Sequence, residues 1–200
     1  GVLVGYQVAE ARAKKVGVHP AVYADLAFHC VVSGFIFGHV LDAFFYHWPQ
    51  VQAEPLYVLK LWDGLSSFGG FIGALVGAAV WRTRRKLSFL AVGDVVVYGF
   101  PFGWIFGRMG CFSVHDHPGA VTTFPLAVAD YHIGNPPFQT RHDLGLYEVL
   151  FCLVLLPVLI ALWNKKLPRG FFLGFIPTVY APVRFFFDFL RAKPTELGEQ

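Results

Sequence analysis

Three short stretches carry most of the side chains in this sequence that could do chemistry. Arg108, Cys111, His115, Asp116 and His117 form the first, Arg141, His142, Asp143, Tyr147 and Glu148 the second, and Tyr180, Arg184, Asp188 and Arg191 the third. Guanidinium groups bind phosphate or carboxylate through two parallel hydrogen bonds. Imidazole and carboxylate groups can move protons, and a thiol becomes a nucleophile once it is a thiolate. Tyr180, Arg184 and Asp188 are spaced i, i+4, i+8, so a helix would hold them on roughly one face. A single Arg–Asp pair at that spacing reads as structural. Several such groups arriving from three helices read instead as a cavity for a charged ligand.

The elements that must position these groups are hydrophobic. The chain has 200 residues, 56% of them hydrophobic and 14% charged, with a mean hydropathy of +0.54. Water-soluble domains carry about 25% charged residues, so this chain lacks the charge to cover a wetted surface. Its 22 Phe and 21 Gly suit lipid-facing rings and close helix contacts. The net charge of +3 is too small to argue for nucleic acid. The three cysteines include no C-x-x-C spacing, which removes a zinc knuckle or a thioredoxin-like site.

The expected fold is all-α: a single polytopic transmembrane domain over residues 1–200. A partial first helix is expected at 1–9, with helices near 21–46, 65–81, 87–106, 144–163 and 171–190. An extracytoplasmic polar loop is expected over 111–143, with Pro118, Pro125, Pro136 and Pro137 as helix breakers. Gly69, Gly73 and Gly77 recur every four residues and suit a close helix–helix seam. Basic residues cluster in alternate connections: Arg12, Lys14 and Lys15; Arg82, Arg84, Arg85 and Lys86; Lys165, Lys166 and Arg169. The positive-inside rule makes these cytoplasmic and puts the His-rich loop on the outer face.

Four motifs occur in order along the chain: Asp63-Gly64-Leu65-Ser66-Ser67-Phe68-Gly69-Gly70, Gly107-Arg108-Met109-Gly110-Cys111-Phe112, His142-x4-Tyr147-Glu148 and Tyr180-x3-Arg184-x3-Asp188-x2-Arg191. With the Ala53–Tyr57 loop and the order of helices and basic connections, this set resembles the bacterial prolipoprotein diacylglyceryl transferases. The resemblance implies about seven transmembrane helices around a central lipid cavity in the inner membrane. It also implies an enzyme that moves diacylglyceryl from phosphatidylglycerol to the lipobox cysteine thiol of a prolipoprotein. The partners would be that phospholipid, the prolipoprotein substrate and membrane lipid, with no cofactor and no nucleic acid. Arg108, Asp116, Tyr180, Arg184, Asp188 and His39 would be the catalytic residues. Arg108, Gly69, Gly70, Cys111, Gly119, Tyr147 and Glu148 would bind substrate.

The pattern departs from the family at several positions. Cys111 stands for an Asn, Asp116 and Asp188 for Glu, and His39 for an Arg. The His that precedes Gly-Gly in the family has no counterpart before Gly69. Only part of a first helix precedes the basic segment and no helix follows Arg191, so the chain is expected to be a fragment, an unusual start or a shortened paralogue. His39, Asp42 and Tyr46 share a helix face and, with His115, Asp116 and His117, offer a replacement base. The same histidines and carboxylates suit a metal, for which His115 and His117 are weak candidates, and none is assigned. Cys111 reads as a small packing residue or as a reactive thiol. The alternative function is a catalytically altered paralogue that binds phospholipid or uses another acceptor, with a metal in the His-rich loop as one variant.

Overall fold

A chain that enters hydrocarbon must satisfy its backbone polar groups internally, so long apolar stretches become helices. The computed structural model describes residues 1–60, 63–129 and 139–192. Pro136, Pro137 and the tail from residue 193 lie outside the described residues. In chain order the elements are α1 (Val2–Val16), α2 (Pro20–Phe45), α3 (Trp48–Ala53), a 3-10 turn (Pro55–Leu59), α4 (Ser67–Arg85), α5 (Phe89–Val114), β1 (Pro118–Val121), β2 (Val128–Ala129), β3 (Thr140–Asp143), α6 (Leu144–Leu162) and α7 (Phe171–Phe189). The protein is an all-α polytopic membrane protein, with one small sheet inserted between α5 and α6. Helices α2, α5, α6 and α7 are long and apolar enough to cross a bilayer. Helix α4 has 19 residues, but four are glycines and its last turn holds Arg82, Arg84 and Arg85.

The chain divides into two compact units, one of Gly1–Arg12 with Val97–Gln200 and the other of Ala13–Val96. The first has a core of Tyr98, Leu155, Leu159, Phe172 and Ile176. The C-terminal end of α6 leaves carbonyls without helical donors. Tyr98 donates its hydroxyl to Leu159 O (2.9 Å), and Arg12 donates to Trp163 O (2.8 Å). The Arg12 guanidinium lies 5.0–5.5 Å from the ring centres of Phe172, Tyr98 and Trp163. Helix α1 therefore continues to Val16, past Ala9, because cation–π and carbonyl contacts hold its buried arginine. Small residues bring α1 against α5: a Cβ on Gly99 would lie 2.6 Å from Gly5 O.

In the second unit, α2 and α4 are joined along the glycine seam. A Cβ on Gly69 would lie 2.5 Å from Phe37 O, and one on Gly73 would overlap Ser33 O. Ser66 caps α4, its hydroxyl accepting from Gly69 N. At the far end of this pair, Asp25 accepts from Arg85 Nε (2.7 Å) and from Trp81 Nε1 (2.9 Å).

Candidate active site

Helix α5 carries Trp104, Arg108 and Cys111 at i, i+4, i+7, and so on one face. Its end is marked by His115, which takes a left-handed conformation (φ 50°) and turns the chain back. Helix α6 begins immediately after β3. Asp143 caps it, with Oδ1 accepting from Leu146 N (2.8 Å). Gly145 lets α6 approach the end of α5, since a Cβ there would lie 2.9 Å from Phe112 N and 3.3 Å from Cys111 C.

That approach brings Glu148 to the centre of a buried polar group. One carboxylate oxygen, Oε2, pairs with Arg108 Nε at 2.7 Å and accepts from Trp104 Nε1 at 3.2 Å and Tyr180 Oη at 3.1 Å. The Arg108 guanidinium also lies over the Trp104 ring, 4.4 Å from its centre. Glu148 is buried and Arg108 nearly so. A buried carboxylate is tolerated only when charge and hydrogen bonds compensate its desolvation, and one ion pair with two hydrogen bonds does so here. The result is a guanidinium clamped at one edge by α6, stacked against α5 and linked through Glu148 to α7.

The other edge of Arg108 faces the residues after α5. Its Nη1 lies 3.3 Å from His117 Nε2 and 3.7 Å from Cys111 Sγ. His117 Nδ1 is 2.5 Å from Asp116 Oδ1. Because arginine can only donate, Nε2 of His117 presents its lone pair and Nδ1 carries the proton toward Asp116. His115 points elsewhere, its Nδ1 lying 2.6 Å from Asp143 Oδ2. The two histidines of the loop thus belong to different groups.

The small sheet frames this corner. Strands run in the order β1-β3-β2, both pairs antiparallel. Gly119 in β1 bridges to Arg191, and Ala120 N donates to Leu190 O (2.8 Å). A Cβ on Gly119 would lie 2.5 Å from Leu190 O and 2.6 Å from His142 Cβ, so a side chain has no room there. Arg141 is buried and donates to Gly119 O. His142 Nδ1 lies 2.6 Å from the Tyr147 hydroxyl, and burial pushes the pKa of His142 below its ordinary value of 6.5. On α7, Asp188 Oδ1 lies 3.3 Å from Arg191 Nε and 3.8 Å from Arg184 Nη1.

The first unit therefore contains Arg108, Cys111, Asp116, Gly119, Tyr147, Glu148, Tyr180, Arg184 and Asp188. Direct contacts join Arg108, Cys111, Asp116, His117, Glu148 and Tyr180 into one network. Tyr147 pairs with His142, and Arg184 with Asp188. His39, Gly69 and Gly70 lie in the second unit. His39 is fully enclosed there, with Nδ1 3.2 Å from Gly64 O and Nε2 3.2 Å from Tyr57 O. Both ring nitrogens face carbonyls of their own unit, which is the geometry of a structural tie. Asp42 pairs with His47 at 2.9 Å beside it. Trp104 and Gly145 are additions that sequence reasoning missed. A tryptophan one helical turn before Arg108 was a signal for the first, whereas nothing local pointed to the second.

The sequence profile described as prolipoprotein diacylglyceryl transferase matches residues 1–199. The chain belongs to the prolipoprotein diacylglyceryl transferase family. A relative from Chromohalobacter salexigens, named phosphatidylglycerol–prolipoprotein diacylglyceryl transferase, is 34% identical over 191 residues, covering 94% of this chain and 70% of the relative. Relatives of the same name from Aeromonas salmonicida and Francisella tularensis subsp. holarctica are 33% and 31% identical. Those alignments cover 88% and 99% of this chain, and 63% and 75% of the relatives. The chain thus spans between about two thirds and three quarters of the length of these family members.

Proposed function

We propose that the protein transfers a diacylglyceryl group from phosphatidylglycerol to the lipobox cysteine thiol of a prolipoprotein at the outer face of the bacterial inner membrane. The observation that carries this reading is the clamped arginine. A phosphate ester in a bilayer needs a cation fixed in orientation, and Arg108 is held by Glu148, Trp104 and, through Glu148, Tyr180. Arg184, one turn along α7 from Tyr180, is assigned as the second phosphate ligand, with Asp188 orienting it. In the transfer, the acceptor thiolate attacks the glyceryl carbon bonded to the phosphate oxygen. That C–O bond breaks, and glycerol phosphate leaves with the electron pair, stabilised by the arginines.

The acceptor side is assigned to the loop after α5. His117 is assigned as the base on this side, its Nε2 lone pair facing Arg108 and its Nδ1 oriented by Asp116, in the same unit as Arg108, whereas His39 lies in the other unit. Gly119 keeps β1 tight against His142 and the end of α7. The test uses membranes containing the protein, a lipobox peptide and phosphatidylglycerol labelled in its glyceryl backbone. Labelled thioether product is expected, and folded protein that yields none above background sinks the proposal. Rescue of a strain depleted of its own transferase is the companion test.

A second reading is favoured by the Ser67-Phe68-Gly69-Gly70 stretch, which offers no histidine before its glycine pair. On that reading the protein binds phospholipid without transfer. It predicts co-purifying anionic lipid that Arg108→Ala releases, with no turnover on any thiol.

A further inference from the structure

We propose that Cys111, Asp116 and His117 form a binding site for a borderline divalent cation, zinc being the one that this donor set suits. Each residue offers one ligand atom, and the three atoms lie within 4.8 Å of one another. A thiolate sulfur, an imidazole nitrogen and a carboxylate oxygen are all zinc donors, and three protein ligands leave a fourth tetrahedral position open.

Local structure explains the convergence. Cys111 sits in the last turn of α5, and the left-handed His115 reverses the chain so that Asp116 and His117 return beside it. The donors already face a positive charge. Arg108 Nη1 lies 3.3 Å from His117 Nε2 and 3.7 Å from Cys111 Sγ, so a cationic N–H occupies the point on which both lone pairs are aimed. An ion is bound when the side chains of His117 and Asp116 swing off Nη1 around Cys111 Sγ, while the guanidinium keeps its contacts with Glu148 and Trp104. Donors around a tetrahedral zinc lie about 3.5 Å apart, given bonds of 2.0–2.3 Å, so the set must contract by about 1 Å. Asp116 and His117 are partly exposed, which leaves their side chains free to turn inward. His115 stays out of the set, bound to Asp143 at the cap of α6.

The role of the ion rests on the transferase reading. With its lone pair on the ion, His117 no longer acts as the base: the open position takes the acceptor thiol as a thiolate, the proton passing to water, and so supplies the activated sulfur that alkylation needs.

The experiment titrates full-length protein, free of any polyhistidine tag and stripped with a chelator, with cobalt and then zinc. One cobalt per chain is expected, with tetrahedral visible absorption and a thiolate charge-transfer band in the near ultraviolet. Zinc should bleach both. Cys111→Ser should abolish the charge-transfer band, His117→Ala should weaken binding at least about tenfold, and His115→Ala should change neither. In the unsubstituted protein, zinc should slow alkylation of Cys111 by a maleimide, read by peptide mass spectrometry, which keeps the test independent of variant folding. No thiolate band, a band that survives Cys111→Ser, or alkylation of Cys111 unaffected by zinc overturns the site. Because none of these readouts uses the lipid or the acceptor, loss of the transferase reading would leave the cation site standing. Full turnover after complete metal removal would overturn the thiol-activating role.

Discussion

Glu148 is the residue on which the candidate site turns, because one of its oxygens receives charge from Arg108 and hydrogen bonds from Trp104 and Tyr180. Removing one partner of a buried ion pair strands the other, at a cost of about 3–5 kcal/mol. Arg108 keeps some exposure, so the lower end applies. Glu148→Ala is expected to lower the thermal midpoint in detergent more than Glu148→Gln, which still accepts from Tyr180 and Trp104. Both should cut transfer on the order of a hundredfold, since either change frees the guanidinium from its fixed orientation. Equal activity in wild type and Glu148→Gln would remove the charge of Glu148 from the mechanism. His142 gives a prediction in pH. Its pKa is depressed in the folded protein, by burial beside Tyr147. As pH falls below about 6.5 the unfolded chain takes up a proton that folded His142 resists, so stability contributed by the neutral ring is lost until the folded group also titrates. Thermal midpoints should therefore decline on acidification through this window, and His142→Gln should flatten that part of the profile. An unchanged slope in the variant would assign the acid sensitivity to other groups.

At the scale of elements, the glycine seam between α2 and α4 follows from composition alone. Four-residue spacing of Gly69, Gly73 and Gly77 specifies one flat face, and each glycine meets α2 backbone. Gly73→Leu places a branched side chain where Ser33 O lies, so α2 and α4 must separate. Overpacking of this kind costs about 1–3 kcal/mol, and a disulfide engineered across the seam should form much more slowly in the variant than in its parent. Normal cross-linking would mean that the seam tolerates bulk. The apolar runs were legible for a related reason, since hydrocarbon leaves the chain few options but helix. Less legible was α1, whose hydropathy stops at Ala9 while its helix runs to Val16. What continues it is Arg12 meeting Trp163 O and three rings distant in sequence, which no local pattern encodes. The same limit applies to the site. Residue types announced Arg108, Glu148 and Tyr180, but the sharing of one oxygen depends on Gly145 letting α6 close on α5. Sequence also treated His115 and His117 alike. The left-handed turn at His115 then sends one to Asp143 and the other toward Arg108.

For the whole molecule, charge distribution gives an orientation that can be measured. Arg12, Lys14 and Lys15 lie at the C-terminal end of α1, Arg82, Arg84, Arg85 and Lys86 at the end of α4, and Lys165, Lys166 and Arg169 between α6 and α7. Basic residues in short connections are retained on the cytoplasmic side, because the counts near helix ends bias insertion. The opposite ends of α5, α6 and α7 carry Arg108, Glu148 and Arg184, so the same rule predicts that the candidate site faces the outer leaflet. Single cysteines introduced at Lys86 and Lys166 in a cysteine-free background should resist a membrane-impermeant maleimide in intact spheroplasts and react once the membrane is opened. A cysteine at Thr122 in the loop beyond β1 should react in both. On the proposed transferase reading the two sets of cations meet anionic lipid differently: the basic connections meet headgroup charge electrostatically, and Arg108 takes a phosphate at bonding distance. Raising salt should therefore weaken the contribution of the basic connections to membrane association while leaving phospholipid bound at Arg108 largely in place, because buried pairs are screened far less than exposed ones. Lipid retained after a high-salt wash, and released by Arg108→Ala, is the expected result. Complete loss of lipid from the unsubstituted protein in the same wash would mean that the headgroup is held only at the surface.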